Sequence, residues 1–204
     1  VSLDLLGRVI EVASGRPFDA FLAAEMFGPL GMTSTFFQVP ASEVGRLTTN
    51  YSPFGGALVP IDPAASSIYL DKPEFPFGGA GLVSSARDFD RFLLMLAGKG
   101  AIGSTRLMSE KTAMLAMSNL IDDSVERKGT FVDGQGFGAG GRVSLPGNPG
   151  GPGIFGWGGA AGTLAFVNPL RGVRGAGYAQ YIPSDTLDFQ RRIGEVILQD
   201  LGAA

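Results

Sequence analysis

The sequence predicts an α+β fold in which an antiparallel sheet packs with helices. Three observations carry this prediction. The last third of the chain holds three closely spaced apolar segments, at about 154–157, 163–167 and 175–180, parted by glycine-rich and Asn-Pro turns. An amphipathic segment over about 184–201 follows them, with Leu187, Ile193, Val196 and Ile197 on one face. The periodic segments before residue 134 have helical spacing, and from Gly134 the period changes. Strands joined by short turns and closed by a helix make an antiparallel sheet covered on one face.

Bulk properties narrow the function. The 204 residues are 45% hydrophobic and 17% charged, enough for one large domain or most of one with a real core. The net charge is -3. The lysines are scattered (Lys72, Lys99, Lys111, Lys128), so no basic stripe suits nucleic acid. No apolar run approaches the roughly 18 residues of a membrane-spanning helix. There is no histidine and no cysteine. That removes Ser-His-Asp triads, histidine metal sites, thiolate nucleophiles and disulfides. Acid–base chemistry must rest on Lys, Tyr, Asp or Glu, and no cofactor is called for. The lack of cysteine leaves the compartment open, and the lack of a signal-peptide pattern favours the cytoplasm. Val1 is not Met and the first residues already read as helix, so the chain is expected to be the later part of a longer protein.

Taken in order, Leu3, Leu6, Val9, Ile10 and Ala13 fall at helical spacing, and Gly15 stops that helix. Pro17 opens the next, with Phe18, Phe21, Leu22 and Met26 as its apolar face and 28–32 as its end. Residues 38–80 are irregular, either a surface excursion or the lining of a binding site, and 51–56 reads as a turn between short strands. Ser85 caps a helix whose buried face is Phe89, Phe92, Leu93 and Leu96, and Asp88 completes a partial capping box. A break over 98–103 follows it, and Ser109 caps a short helix over 110–118 with Met114, Leu115 and Met117 facing in. Phe137, Ala139, Val143 and Leu145 suggest a strand, and 168–172 a hairpin turn. Ser184 caps the last helix and Gly202 stops it.

The stretch Gly156-Trp157-Gly158-Gly159-Ala160-Ala161-Gly162-Thr163 is half glycine. Either it is a hairpin that links two strands, or its bare backbone approaches something closely.

Five stretches, in this order, resemble a family VIII carboxylesterase, a branch of the serine hydrolases with the class C β-lactamase and penicillin-binding-protein fold. They are Leu5-Leu6-Gly7-Arg8-Val9-Ile10-Glu11 with Ser14-Gly15; Pro29-Leu30-Gly31-Met32-Thr33-Ser34-Thr35; Gly78-Gly79-Ala80-Gly81-Leu82-Val83-Ser84 with Ala86-Arg87-Asp88; Gly136-Phe137-Gly138; and Trp157 to Thr163. The resemblance covers the whole chain and makes it the C-terminal two thirds of such a domain, 1–204. It implies a β-lactamase/transpeptidase-like fold that is incomplete without its N-terminal portion.

The resemblance also implies a chemistry. A serine in Ser-x-x-Lys attacks an ester carbonyl while its lysine and a tyrosine move the protons, the role histidine plays in a triad. The third motif, Lys-Thr-Gly in β-lactamases, corresponds to Trp157-Gly158-Gly159. By that match the Ala160 N–H is an oxyanion-hole donor, Gly158 and Gly159 let the carbonyl approach, and Trp157 is an apolar wall for the acyl or alcohol group. Read from the sequence alone, Trp157 is equally a core or edge aromatic. No Ser-x-x-Lys and no Gly-x-Ser-x-Gly occurs. Tyr51-Ser52 imitates the tyrosine motif at the wrong place, which leaves Tyr51 as a coincidence or a cleft-lining residue. The nucleophile, lysine and tyrosine are therefore expected upstream of Val1 or on a companion polypeptide, and this chain alone is expected to be inactive. Tryptophan in place of lysine removes the cation that greets a β-lactam carboxylate, so short, neutral acyl esters are the expected substrates. The alternatives are a β-lactamase or D-Ala-D-Ala carboxypeptidase of the same fold, or a non-catalytic binding module.

Overall fold

Helix α1 (Ser2–Ser14) opens the first of two units, Val1–Phe92, in a computed structural model that describes residues 2–148 and 150–202. The side chains of Thr186, Leu187, Leu198 and Leu201 lie outside the described set, and with them the inward face expected of Leu187. Gly15, at φ 68°, ends α1 as expected. The α1 face is not buried as expected, however: Leu3, Leu6 and Val9 are exposed, together with Leu5 and Val12. What α1 buries is Gly7, whose missing side chain lets the Phe18 ring lie against it. Glu11 joins the two helices by accepting the Phe18 N–H at 3.0 Å.

After Pro17, α2 (Phe18–Leu22) passes through a π-helical turn (Ala23–Phe27) into α3 (Gly28–Leu30). Gly31 closes α3 at φ 65°, a backbone shape glycine adopts without cost. Phe18, Phe27, Leu30 and Met32 are the buried side chains here. The chain then meets the segment before residue 86 through a bridge between Phe36 and Val83. Ser85 caps α4 (Ala86–Ala97), its Oγ accepting the Asp88 N–H at 3.1 Å. The Asp88 carboxylate does not close the expected capping box with the Ser85 N–H. Buried, it accepts the Ser34 N–H at 2.6 Å and the Thr35 hydroxyl at 3.0 Å, tying together two motifs more than fifty residues apart. Arg91 donates to the Leu30 carbonyl beside them.

Within 38–80, β1 (Asn50–Phe54) and β2 (Ala57–Asp62) form a hairpin. Residues 51–54 are therefore strand, and the turn is only Gly55-Gly56, both at positive φ as such a tight connection requires.

The second unit, Leu93–Ala204, carries a five-stranded antiparallel meander in the order β5 (Gly136–Phe137), β6 (Arg142–Val143), β7 (Phe155–Gly158), β8 (Leu164–Asn168), β9 (Val173–Gly177). The single strand expected around 137–145 is two, folded back at 138–141. A small hairpin, β3 (Ala101–Ile102) with β4 (Thr105–Arg106), fills the break before α5 (Glu110–Ala116). Ser109 caps α5 as expected, accepting the Thr112 N–H at 3.1 Å. Met117 is buried as expected, but Leu115 points outward and Ala113 is buried in its place, since the buried stripe of this short helix follows the spacing of four from Ala113 to Met117. Asn168 shapes the 168–172 turn through its side-chain oxygen, which accepts from the Leu170 and Arg171 N–H groups. The last helix starts later than expected. Ser184–Leu187 is a 3-10 turn, and α6 (Phe189–Gly202) follows it and includes Gly202.

Candidate functional site

Strand β7 ends at Gly158, and the chain turns back into β8 over 159–163. Two backbone bonds close the turn: the Gly159 N–H donates to the Thr163 carbonyl at 2.7 Å and the Gly162 N–H to the Gly159 carbonyl at 3.2 Å. The Tyr181 N–H holds the Ala161 carbonyl at 3.0 Å. Gln190 on α6 completes the clamp, its Nε2 donating to the Gly159 and Thr163 carbonyls, both at 2.7 Å. The turn is thus fixed by strand, loop and helix together. Ala160 sits exposed at its tip, and its N–H has no acceptor among the described residues. A rigid loop that holds one N–H unused is a ready donor to a developing oxyanion.

The glycines of this stretch face the protein itself. A Cβ on Gly156 would lie 2.4 Å from the Ala165 carbonyl oxygen of β8, and one on Gly158 would lie 3.3 Å from the Gln190 amide. Both readings of the stretch hold in part: it is a hairpin, and its backbone packs closely, against β8 and α6.

Trp157 is 46% exposed, a surface aromatic rather than a core one, although it stands on the middle strand of the sheet. Its ring meets Phe131 edge-on at 6.0 Å and Phe137 at 5.8 Å, and those two rings stand 5.6 Å apart. Such T-shaped contacts suit the ring quadrupoles and hold the indole in place. The Arg142 guanidinium lies over the Trp157 ring at 5.1 Å. The surroundings of Trp157 are therefore not free of positive charge: the neighbouring strand β6 brings a cation to it.

Trp157, Gly158, Gly159 and Ala160 thus form one continuous structure in the second unit. Tyr51 lies in the first unit, on β1 opposite Pro60, partly exposed. Gln190, Phe131 and Arg142 escaped the sequence reading. Gln190 is one polar residue on an amphipathic helix, Phe131 stands in an aperiodic stretch, and Arg142 becomes a neighbour of Trp157 only through strand register. At the head of α6 the Arg191 guanidinium holds the Asp188 carboxyl below its usual range. Among the described residues no cluster of three acidic side chains could hold a metal ion, and no helix is long and apolar enough to cross a membrane.

The Beta-lactamase family profile matches residues 1–193. An uncharacterized protein of Mycobacterium tuberculosis is 30% identical over 179 residues, 82% of this chain and 44% of its own length. A provisionally named D-alanyl-D-alanine carboxypeptidase of Escherichia coli is 23% identical over 81% of this chain and 40% of its own. Among solved structures, a mutant of simvastatin synthase from Aspergillus terreus superposes with a TM-score of 0.83 at 20% identity, over 98% of this chain and 55% of that one. EstCE1, described as a hydrolase with promiscuous acyltransferase activity, gives 0.76 at 24% identity, over 98% and 54%. The chain spans about half the length of the relatives it matches.

Proposed function

The chain belongs to the Beta-lactamase family, and on that premise we propose that it is the C-terminal part of a serine carboxylesterase that cleaves short-chain esters through an acyl-enzyme. The observation that carries this reading is the unused Ala160 N–H, held at the tip of a clamped turn next to the exposed Trp157 ring. In this reading the serine, its lysine and the tyrosine belong to sequence upstream of Val1 or to a companion polypeptide. The serine oxygen adds to the ester carbonyl, and its proton passes through lysine and tyrosine to the departing alcohol. The negative charge on the carbonyl oxygen falls to the Ala160 N–H. Water then repeats the addition on the acyl-serine and releases the acid. One such donor contributes about 3 kcal/mol to the transition state. Trp157 gives the acyl or alcohol group an apolar wall.

Helix α1 supports the companion segment. Leu5, Val9 and Val12 lie on one face and are exposed, up to 71% for Val12, and a bare apolar helix face is a surface that another element covers.

The second reading, a D-Ala-D-Ala carboxypeptidase or β-lactamase, is favoured by Arg142, which offers a cation beside Trp157. One experiment separates the readings. The purified sample is weighed intact, treated with a fluorophosphonate and assayed with p-nitrophenyl butyrate and a cephalosporin. A co-purifying or upstream segment that takes the label at a serine, with turnover of the butyrate ester, supports the esterase. Cephalosporin turnover at a comparable rate replaces it with the β-lactamase reading. An unlabelled protein that binds but turns over neither is a non-catalytic module.

A further inference from the structure

The tryptophan that stands where β-lactamases carry lysine takes a positive charge off strand β7, and Arg142 on β6 returns one. Its guanidinium lies over the face of the Trp157 ring. A guanidinium carries five N–H donors in a fixed fork, and that fork matches the two oxygens of a carboxylate. Several other arginines already hold an acid, such as Arg8 with Glu11, Arg46 with Glu43, and Arg191 with Asp188 and Glu195. Arg142 has no acidic partner within ion-pair distance among the described residues. Beside it lies apolar surface that is also uncovered: Phe131 is 62% exposed and meets both Trp157 and Phe137 edge-on. The surface thus offers a short apolar wall that ends in an unpaired cation.

We propose that Arg142, Phe131 and Trp157 form a subsite for a short aliphatic chain that ends in a carboxylate. Its ligand class is the half-ester of a dicarboxylic acid, with the chain against Phe131 and Trp157 and the carboxylate on Arg142. This rests on the assignment of Trp157 to the substrate wall, and it changes the substrate from neutral to acidic.

The test needs no catalysis, because Trp157 is the only tryptophan and its fluorescence reports this surface alone. The chain is titrated with monomethyl glutarate and with dimethyl glutarate, which share a carbon skeleton and differ in charge. Monomethyl glutarate is expected to shift the Trp157 emission saturably and to bind roughly fivefold tighter than the diester, the upper end for an exposed ion pair. Arg142→Gln removes that preference, Arg142→Lys keeps part of it, and Phe131→Ala weakens both ligands. Circular dichroism of each variant confirms the fold. Equal binding of the two esters, a preference that survives Arg142→Gln, or no saturable shift with either ligand overturns the subsite. Failure of the esterase reading shows elsewhere, as absent fluorophosphonate labelling and absent ester turnover, and leaves this binding measurement intact.

Discussion

Replacing Gln190 by alanine tests whether the turn that presents Ala160 is held from outside. The Nε2 group donates to two carbonyls, those of Gly159 and Thr163, each at 2.7 Å. A net hydrogen bond contributes about 1 kcal/mol, and the partly exposed carbonyls recover some of the loss from water. Gln190→Ala is therefore expected to cost about 1–2 kcal/mol in urea unfolding of the chain, with an unchanged m-value. Gly158→Ala approaches the same contact from the other side. Its new Cβ lies 3.3 Å from the Gln190 amide, so the amide must shift away from the carbonyls it holds. A cost of about 1 kcal/mol is expected for that change. If both act through one contact, they are not additive: in the Gln190→Ala background, Gly158→Ala becomes nearly silent, a coupling of about 1 kcal/mol in the double-mutant cycle. Additive costs, or a Gln190→Ala variant that unfolds at the wild-type urea concentration, would refute the clamp.

The remaining predictions concern other links in the fold. Gly156→Ala drives a Cβ to within 2.4 Å of the Ala165 carbonyl oxygen and is expected to cost about 3 kcal/mol, seen as a lower thermal midpoint. Asp88→Ala leaves the Ser34 N–H and Thr35 hydroxyl without their buried acceptor, and a loss of about 3 kcal/mol is expected on denaturant unfolding. Glu11 accepts from Arg8 and from the Phe18 N–H, and these hold its carboxyl below the ordinary value of 4.5. The unfolded chain takes up that proton first, so the contribution is whole above pH 4.5 and is lost as pH falls through the folded value. Glu11→Gln is expected to flatten the stability profile below that pH, and a variant profile parallel to wild type throughout would overturn the assignment. Leu5→Gln with Val12→Gln is expected to change the chain's own unfolding by less than about 0.5 kcal/mol, since both side chains are exposed, while weakening capture of an upstream segment in a pull-down.

How far the sequence reaches is decided by the range of each signal. Caps were legible because Ser85 and Ser109 act on an N–H three residues away. The strands at 155–158, 164–168 and 173–177 were legible, the last with bounds read two to three residues too late, because their turns are local, Asn168 bonding its own neighbours and Gly172 sitting at positive φ. Strands β5 and β6 merged into one because two residues carry no periodicity. Asp88 was half read: its N–H meets the local Ser85 cap, but its carboxylate reaches Ser34 and Thr35 across the chain instead of closing a capping box. The α1 face misled for a different reason. Periodicity reports which side of a helix is apolar, not whether anything covers it, and Gly7 rather than a leucine makes the contact with Phe18.

The same limit governs the candidate site. Glycine-rich backbone after a tryptophan is visible in one dimension because the requirement sits on the residues themselves: Gly156 has no room for a Cβ, and Gly162 sits at φ 78°. What clamps that backbone is Gln190, 31 residues beyond Gly159, and what brings a charge to Trp157 is Arg142, one strand away. Neither residue type is marked by its neighbours in sequence. A Trp-Gly-Gly segment therefore marks where the backbone must pack closely, while the adjoining strand decides what charge lies beside its tryptophan. On this reasoning the charge beside Trp157 must be read from strand register: no lysine stands near it in sequence, yet β6 places the Arg142 guanidinium over its ring.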